Sequence, residues 1–203
     1  MKLGGNSMLR KLTRASIAAA IMVVVSAPIS ASATMLERVG LSDMTDRADK
    51  IFRGTVTDIR QTSVRMGGGD VPVINYRFRV DEQLKGDADV VKGNASFIEL
   101  KMVGYLKEPK SPEGITRFSI FKDMPRLQLG QDYVIFSTPR SSFGLSSTIG
   151  LGQGAFSVFS ENREVLVVNN YNNENFEFGE GGPISYSKMK KLVASRMTKK
   201  AGE

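Results

Sequence analysis

The sequence predicts a mainly β domain, a small antiparallel barrel or sandwich with one short helix before it and one after it. Three observations carry this. Short stretches of alternating apolar and polar residues recur along the chain, as strands with one buried face require. Glycine, proline and asparagine clusters separate them at turn-like spacings. Helical spacing occurs only near the start of the folded part and at its end, so the strand–helix–strand alternation of a parallel sheet is missing.

The chain opens on a segment that does not belong to this domain. Lys2, Arg10, Lys11 and Arg14 precede the apolar run Ile17–Val25, and small residues follow, ending in Ala31-Ser32-Ala33. A basic start, a short apolar core and an A-x-A site describe a secretory signal peptide over residues 1–33, leaving one domain over 34–203. The apolar run falls short of the ~20 residues a membrane span needs.

Ser42 is placed to cap a short helix over SDMTDRADK, with Asp43 near its positive end. IFRGTVTDIRQ follows as a strand, with Gly54 marking a bulge or close approach. RMGGGD (65–70) is a hairpin tip. INYRFRVDEQLKG is the clearest strand: Ile74, Tyr76, Phe78 and Val80 face inward, with Phe52, Val56, Val134 and Phe136 as expected neighbours in one core. Arg77 and Arg79 keep the outer face wet. NASFIELKMVG is another strand, EPKSPEG (108–114) a loop, and ITRFSIF alternates again. LQLGQDYVIFS turns at Gly130 into an apolar strand. GAFSVF and EVLVVN form a hairpin around Glu161-Asn162-Arg163. NNYNNEN reads as a polar surface loop. Ser185 caps a last helix whose Tyr186, Met189, Leu192, Val193 and Met197 make one apolar stripe.

Composition narrows the chemistry. The chain holds 28 basic and 21 acidic residues, a net charge of +7, but four of the cations lie in the leader and six in Lys188–Lys200. Without the leader the net charge is +3, and Thr34–Ser187 alone is at −2. The basicity is thus a leader and a tail, which argues against a nucleic-acid-binding body. There is no cysteine and no histidine. Disulfides, thiolate ligands and a thiol nucleophile are excluded, and the commonest general base and metal ligand are missing.

RADKIFRGTV, YRFRVDEQLKG and LQLGQDYVIF occur in that order. Their framework positions are Ala48, Asp49, Gly54 and Val56; Val80, Leu84, Lys85 and Gly86; Leu127, Gly130, Tyr133 and Phe136. This arrangement resembles a pattern in exported bacterial proteins of uncharacterised activity. Over residues 40–138 it also resembles the netrin-like module of the tissue inhibitors of metalloproteinases. The resemblance implies an OB-like five-stranded Greek-key barrel with flanking helices. It does not carry the inhibition, since those inhibitors use an N-terminal cysteine and disulfides that this chain lacks.

The glycine pattern Gly150-Leu-Gly-Gln-Gly154 invites a phosphate loop. A dinucleotide fingerprint needs a helix after its glycines, and Ala155–Phe159 alternates like a strand. The other phosphate loop needs Gly-Lys-Ser/Thr, and Ala155 follows Gly154. A structural turn is the preferred reading. Beside it stands a binding loop, in which Ser146, Ser147, Thr148 and Gln153 present hydroxyl and amide groups to a ligand. Ser185-x-x-Lys188 matches a Ser-Lys pattern in letters but is better read as a helix cap. Asp43, Asp46 and Asp49 lack the loop spacing of a calcium hand.

These readings point to an exported, periplasmic or secreted binding module without catalytic, metal or cofactor residues, its partner another envelope protein, a peptide or a glycan. Two alternatives stand beside it: an envelope hydrolase using carboxylate or Ser-Lys chemistry, and a membrane-surface protein acting through the basic last helix. For that helix, packing of its stripe onto the domain is preferred over insertion into a membrane.

Overall fold

The computed structural model describes residues 37–107, 123–174, 176 and 181–202, all within one compact unit, Leu36–Glu203. The expected leader, the 108–114 loop and the ITRFSIF stretch lie outside the described residues. The elements run α1 (Leu41–Arg47), β1 (Lys50–Met66), β2 (Gly69–Lys85), β3 (Val90–Lys92), β4 (Ala95–Val103), β5 (Asp132–Ser137), β6 (Ala155–Glu161), β7 (Glu164–Asn169), β8 (Ile184–Ser185) and α2 (Tyr186–Ala201). The strands form one eight-stranded antiparallel sheet in the order β3-β4-β2-β1-β5-β6-β7-β8. The mainly β class and the helix at each end agree with the sequence. The ladder does not close on itself, because β5 passes the sheet on to β6, β7 and β8.

Local chemistry accounts for most elements. β1 and β2 are each 17 residues long, and a two-residue loop joins them. Gly67 and Gly68 in that loop have φ of 62° and 81°, the left-handed pair that suits a right-twisted hairpin. The β6–β7 loop places Asn162 and Arg163 in the same region. The register of β1 on β2 shifts beside Gly54, where an added Cβ would lie 2.5 Å from the Arg79 carbonyl oxygen. That is the close approach the sequence anticipated.

α1 begins one residue before the expected cap. Gly40 is its N-cap, its carbonyl accepts from Met44 N at 2.9 Å, and no side chain caps the end. This register buries Leu41, Met44 and Thr45, and burial outweighs the hydroxyl cap that Ser42 would supply. Ser185 does cap α2, accepting from Lys188 N at 3.2 Å.

The apolar residues form two clusters where one was expected. Phe52, Val56, Ile74, Tyr76, Phe78, Ile98, Leu100 and Ile135 build one. Val134, Phe136, Phe156 and Val167 join Leu41, Met44, Tyr186, Met189 and Val193 in the other, beneath the helices. β5 divides them: Tyr133 and Ile135 face one cluster, Val134 and Phe136 the other. Ile74, Tyr76 and Phe78 are buried as expected, and Val80 packs against the same cluster. Val134 and Phe136 are therefore not among their neighbours. The helical stripe also loses a member: Leu192 is 36% exposed, while Tyr186, Met189 and Val193 are buried. The asparagine stretch is no plain surface loop. Asn169 and Asn173 are buried, with Asn169 Oδ1 accepting from Tyr171 N and Asn173 N, both at 3.0 Å.

The framework positions of the three sequence elements have structural tasks. Lys85 Nζ donates to the Thr45 carbonyl at 2.8 Å, so it caps the end of α1. Gly130 N donates to the Val56 carbonyl at 2.8 Å, and the Tyr133 hydroxyl accepts from Gln128 N at 3.1 Å. Ala48 and Leu127 are buried.

Candidate functional site

The outer edge of β4 is satisfied group by group between the Phe97 carbonyl and Lys101. The Phe97 carbonyl accepts from Asp89 N at 2.9 Å, and the Glu99 amide donates to Asp89 Oδ2 at 2.8 Å. Arg140 Nη2 donates to the Glu99 carbonyl at 3.1 Å. Ser146 N donates to the Lys101 carbonyl at 2.9 Å, and Lys101 N reaches Ser146 Oγ at 3.4 Å. The same segment holds β5 from its other side: Thr138 N donates to Ser147 O and Ile149 N to Phe136 O, each at 2.8 Å. Residues 146–149 thus link two strands that the ladder leaves apart. Asp89 ties the link to β1, pairing with Lys50 at 2.6 Å and with the Arg140 guanidinium. Burial penalises its charge, but Lys50, the Glu99 amide and Arg140 outweigh that and hold its carboxyl below the ordinary range.

A cleft of about 290 Å³ opens beside this link. Val103, Met124, Leu145 and Leu151 make its apolar walls, and Lys101, Ser146 and Ser147 bring polar groups to it. Its hydroxyls are already engaged. Ser147 Oγ points at Met124 Sδ at 3.7 Å, Thr138 Oγ1 accepts from Ser147 N at 3.0 Å, and Ser141 Oγ accepts from Leu145 N at 3.1 Å. What the cleft offers a ligand is chiefly apolar surface with a cation at its border.

The four candidate binding residues divide. Ser146 and Ser147 line the cleft, although Ser146 is itself buried and its Oγ faces the Lys101 amide. Thr148 and Gln153 are buried, and their polar atoms serve the fold. The Thr148 hydroxyl donates to the Leu151 carbonyl. Gln153 Oε1 accepts from Val39 N at 2.9 Å and its Nε2 donates to Glu37 O at 2.8 Å, so this side chain pins the segment leading into α1.

Thr148 stands opposite Ser137 on β5, and Ala155 stands opposite Ile135. Two residues along β5 are matched by seven on the returning chain, so five residues, Gly150–Gly154, leave the ladder. Leu151–Gly154 coil as a single 3-10 turn, entered through left-handed φ values of 60° at Gly150 and 57° at Leu151. The neck of this excursion closes at Gly154. A Cβ there would lie 2.7 Å from Ile149 O, 2.9 Å from Ile149 N and 3.1 Å from Phe136 O. A strand follows, β6, where a dinucleotide loop would need a helix.

A second polar cluster sits where α2 meets the sheet. The Tyr186 hydroxyl donates to Glu82 Oε2 at 2.9 Å, and Lys190 pairs with Glu82 Oε1 at 2.8 Å. Arg53 grips Asp132 Oδ2 through Nη2 at 2.6 Å and Nε at 2.9 Å, with its guanidinium 5.1 Å from the Tyr186 ring centre. Burial, then the hydrogen bond to Glu82, raises the Tyr186 pKa well above the ordinary phenol value. Each charge faces an opposite one, which makes the cluster a clamp on the helix. At the far end of α2, Arg196 makes a bidentate pair with Asp46 on α1.

Asp89 and Arg140 escaped the sequence reading because they stand 51 residues apart. Met124 lies between the stretches ITRFSIF and LQLGQDYVIFS, where no sequence pattern singled it out. Only the run of small polar residues at 146–148 pointed to this place. Among the described residues no group of carboxylates is arranged to hold a metal ion, and no helix is long and apolar enough to cross a membrane. No protein-family model matches the chain, and no curated protein matches it significantly.

Proposed function

We propose that the chain is an exported, non-catalytic binding module of the bacterial cell envelope, and that the cleft beside residues 146–149 holds its ligand. In this reading β1, β2, β4 and β5 act as an OB-like barrel, with residues 146–149 standing in for the missing ladder, in keeping with the resemblance to the netrin-like module. The observation that carries the reading is the cleft itself: about 290 Å³, walled by Val103 at the end of β4 and by Met124, Leu145 and Leu151 from the connecting segments beside it. Concave, mostly apolar sites with few polar groups are where proteins take small ligands or single side chains. An apolar side chain of a peptide or envelope protein suits these walls better than a glycan. The walls are mostly apolar, and the few hydroxyls, two of them already accepting from backbone amides, are too sparse to match the many polar groups of a sugar.

The test uses methyl NMR of the methionine side chains. N-acetyl-leucinamide should shift the Met124 methyl signal saturably, N-acetylglucosamine should not, and Leu145→Trp should abolish the response while the remaining spectrum stays folded. An unmoved Met124 signal, or a response that persists in Leu145→Trp, would refute the site.

A further inference from the structure

α2 buries Tyr186, Met189 and Val193 against the sheet, so its apolar stripe is spent on the fold. The opposite face is chemically one-sided. Lys188, Lys191, Leu192, Ser195 and Lys199 recur at the spacing of one helical face, and all are exposed. Between Tyr186 and Gly202 the chain has six lysines and arginines and no acid. Two of these cations point inward, Lys190 to Glu82 and Arg196 to Asp46. The others lie at the surface, with Leu192 among them at 36% exposure. Beside this face, between α1 and α2, opens a second cleft of about 240 Å³, with Leu41 and Leu192 as walls and Ser42, Ser195, Arg196 and Lys199 at its polar border. The stretch from Thr34 to Ser187 carries a net charge of −2, so the positive charge is segregated onto the C-terminal helix.

We infer that this outer face of α2 docks the protein on an anionic lipid surface, with a headgroup phosphate taken at the mouth of the α1–α2 cleft. Charge complementarity selects the partner: ammonium groups ring an apolar side chain and two hydroxyls, which matches a phosphate above a hydrocarbon layer. Binding is peripheral. Only Leu192 can enter the interface, since the rest of the apolar stripe is packed inside.

The test is vesicle flotation of the protein recovered from the envelope of expressing cells. Vesicles of phosphatidylcholine with phosphatidylglycerol are compared with phosphatidylcholine alone, at low and high salt. The anionic vesicles should bind the protein, and salt should release it. Each lysine near the surface contributes roughly fivefold in affinity, so Lys191→Gln with Lys199→Gln should weaken binding by about 25-fold. Adding Leu192→Asp should remove it. Lys92→Gln, on the exposed edge strand β3, should bind as the parent does. Thermal melting of the α2 variants should match the parent, because none of these side chains is buried. Equal binding to neutral vesicles, indifference to salt, or retention by the triple variant would overturn the proposal.

Discussion

The Ser146 amide donates to the Lys101 carbonyl at 2.9 Å, and this bond joins β4 to the segment that runs along β5. Losing a backbone donor leaves the Lys101 carbonyl unpaired in a partly buried place, at ~1–3 kcal/mol. Ser146→Pro should therefore lower the stability by at least that much. Ser146→Ala removes only the longer contact from Lys101 N at 3.4 Å and should cost well under half as much. Urea denaturation of the two variants checks this, and equal midpoints would show that the segment does not hold the strands together.

Gly154 closes the neck of the five-residue excursion, with three backbone atoms within 3.1 Å of where a Cβ would stand. Backbone cannot swing aside as a side chain can. Gly154→Ala should destabilise the domain by about 1–3 kcal/mol or more, as overpacking does. The loss should be the same with and without any ligand in the cleft, which chemical denaturation in the presence of N-acetyl-leucinamide would reveal.

Phe52 and Phe78 meet edge to face, their ring centres 5.2 Å apart at 78°, at the centre of one apolar cluster. Both are fully buried. Phe78→Ala should cost ~3–5 kcal/mol in equilibrium unfolding. A loss below ~1 kcal/mol would mean that the β2 register is wrong.

How far the sequence was legible follows from which forces act locally. Strict alternation at Ile74, Tyr76 and Phe78 announced a strand with one buried face, and the structure agrees. Tyr133-Val134-Ile135-Phe136 carried a different message: four consecutive apolar residues mark a strand buried on both faces, and hence two clusters. Alternation arguments alone merged the two. Leu192 sits near the stripe in helical phase, but α1 leaves it uncovered, which no local pattern could report. Asn169 and Asn173 looked like loop filler because their value lies in bonds to backbone amides and carbonyls that only the folded chain supplies. The cleft was half legible. Ser146 and Ser147 drew notice as polar residues near glycines, whereas Met124, Arg140 and Asp89 reach it or its link from distant segments.

The ion pairs that hold α2 make stability depend on pH in both directions. On the acid side, Arg196 hydrogen-bonds Asp46 and lowers its pKa from 3.8. Burial disfavours the charge of Glu82, but Lys190 and Tyr186 prevail and its pKa falls below 4.5. Asp89, which ties the link beside β4 and not α2, is likewise lowered. A carboxyl with a depressed folded pKa binds fewer protons folded than unfolded, so its contribution is present above the unfolded value and is lost as pH falls through the folded one. On the alkaline side the sign reverses for Tyr186. Burial and the bond to Glu82 raise its pKa above 10.0, so the folded chain keeps a proton that the unfolded chain releases. Stability is full below about pH 10 and declines above it. From these groups the melting temperature should fall below about pH 5 and above about pH 10. Glu82→Gln keeps an acceptor for the Tyr186 hydroxyl but removes the charge. It should make both limbs shallower, the acid limb through the lost carboxylate and the alkaline limb through a Tyr186 easier to ionise. Melting curves across the pH range, with tyrosinate absorbance followed in parallel, check each limb separately. An alkaline limb unchanged by Glu82→Gln would show that burial alone, without the carboxylate, holds the Tyr186 proton.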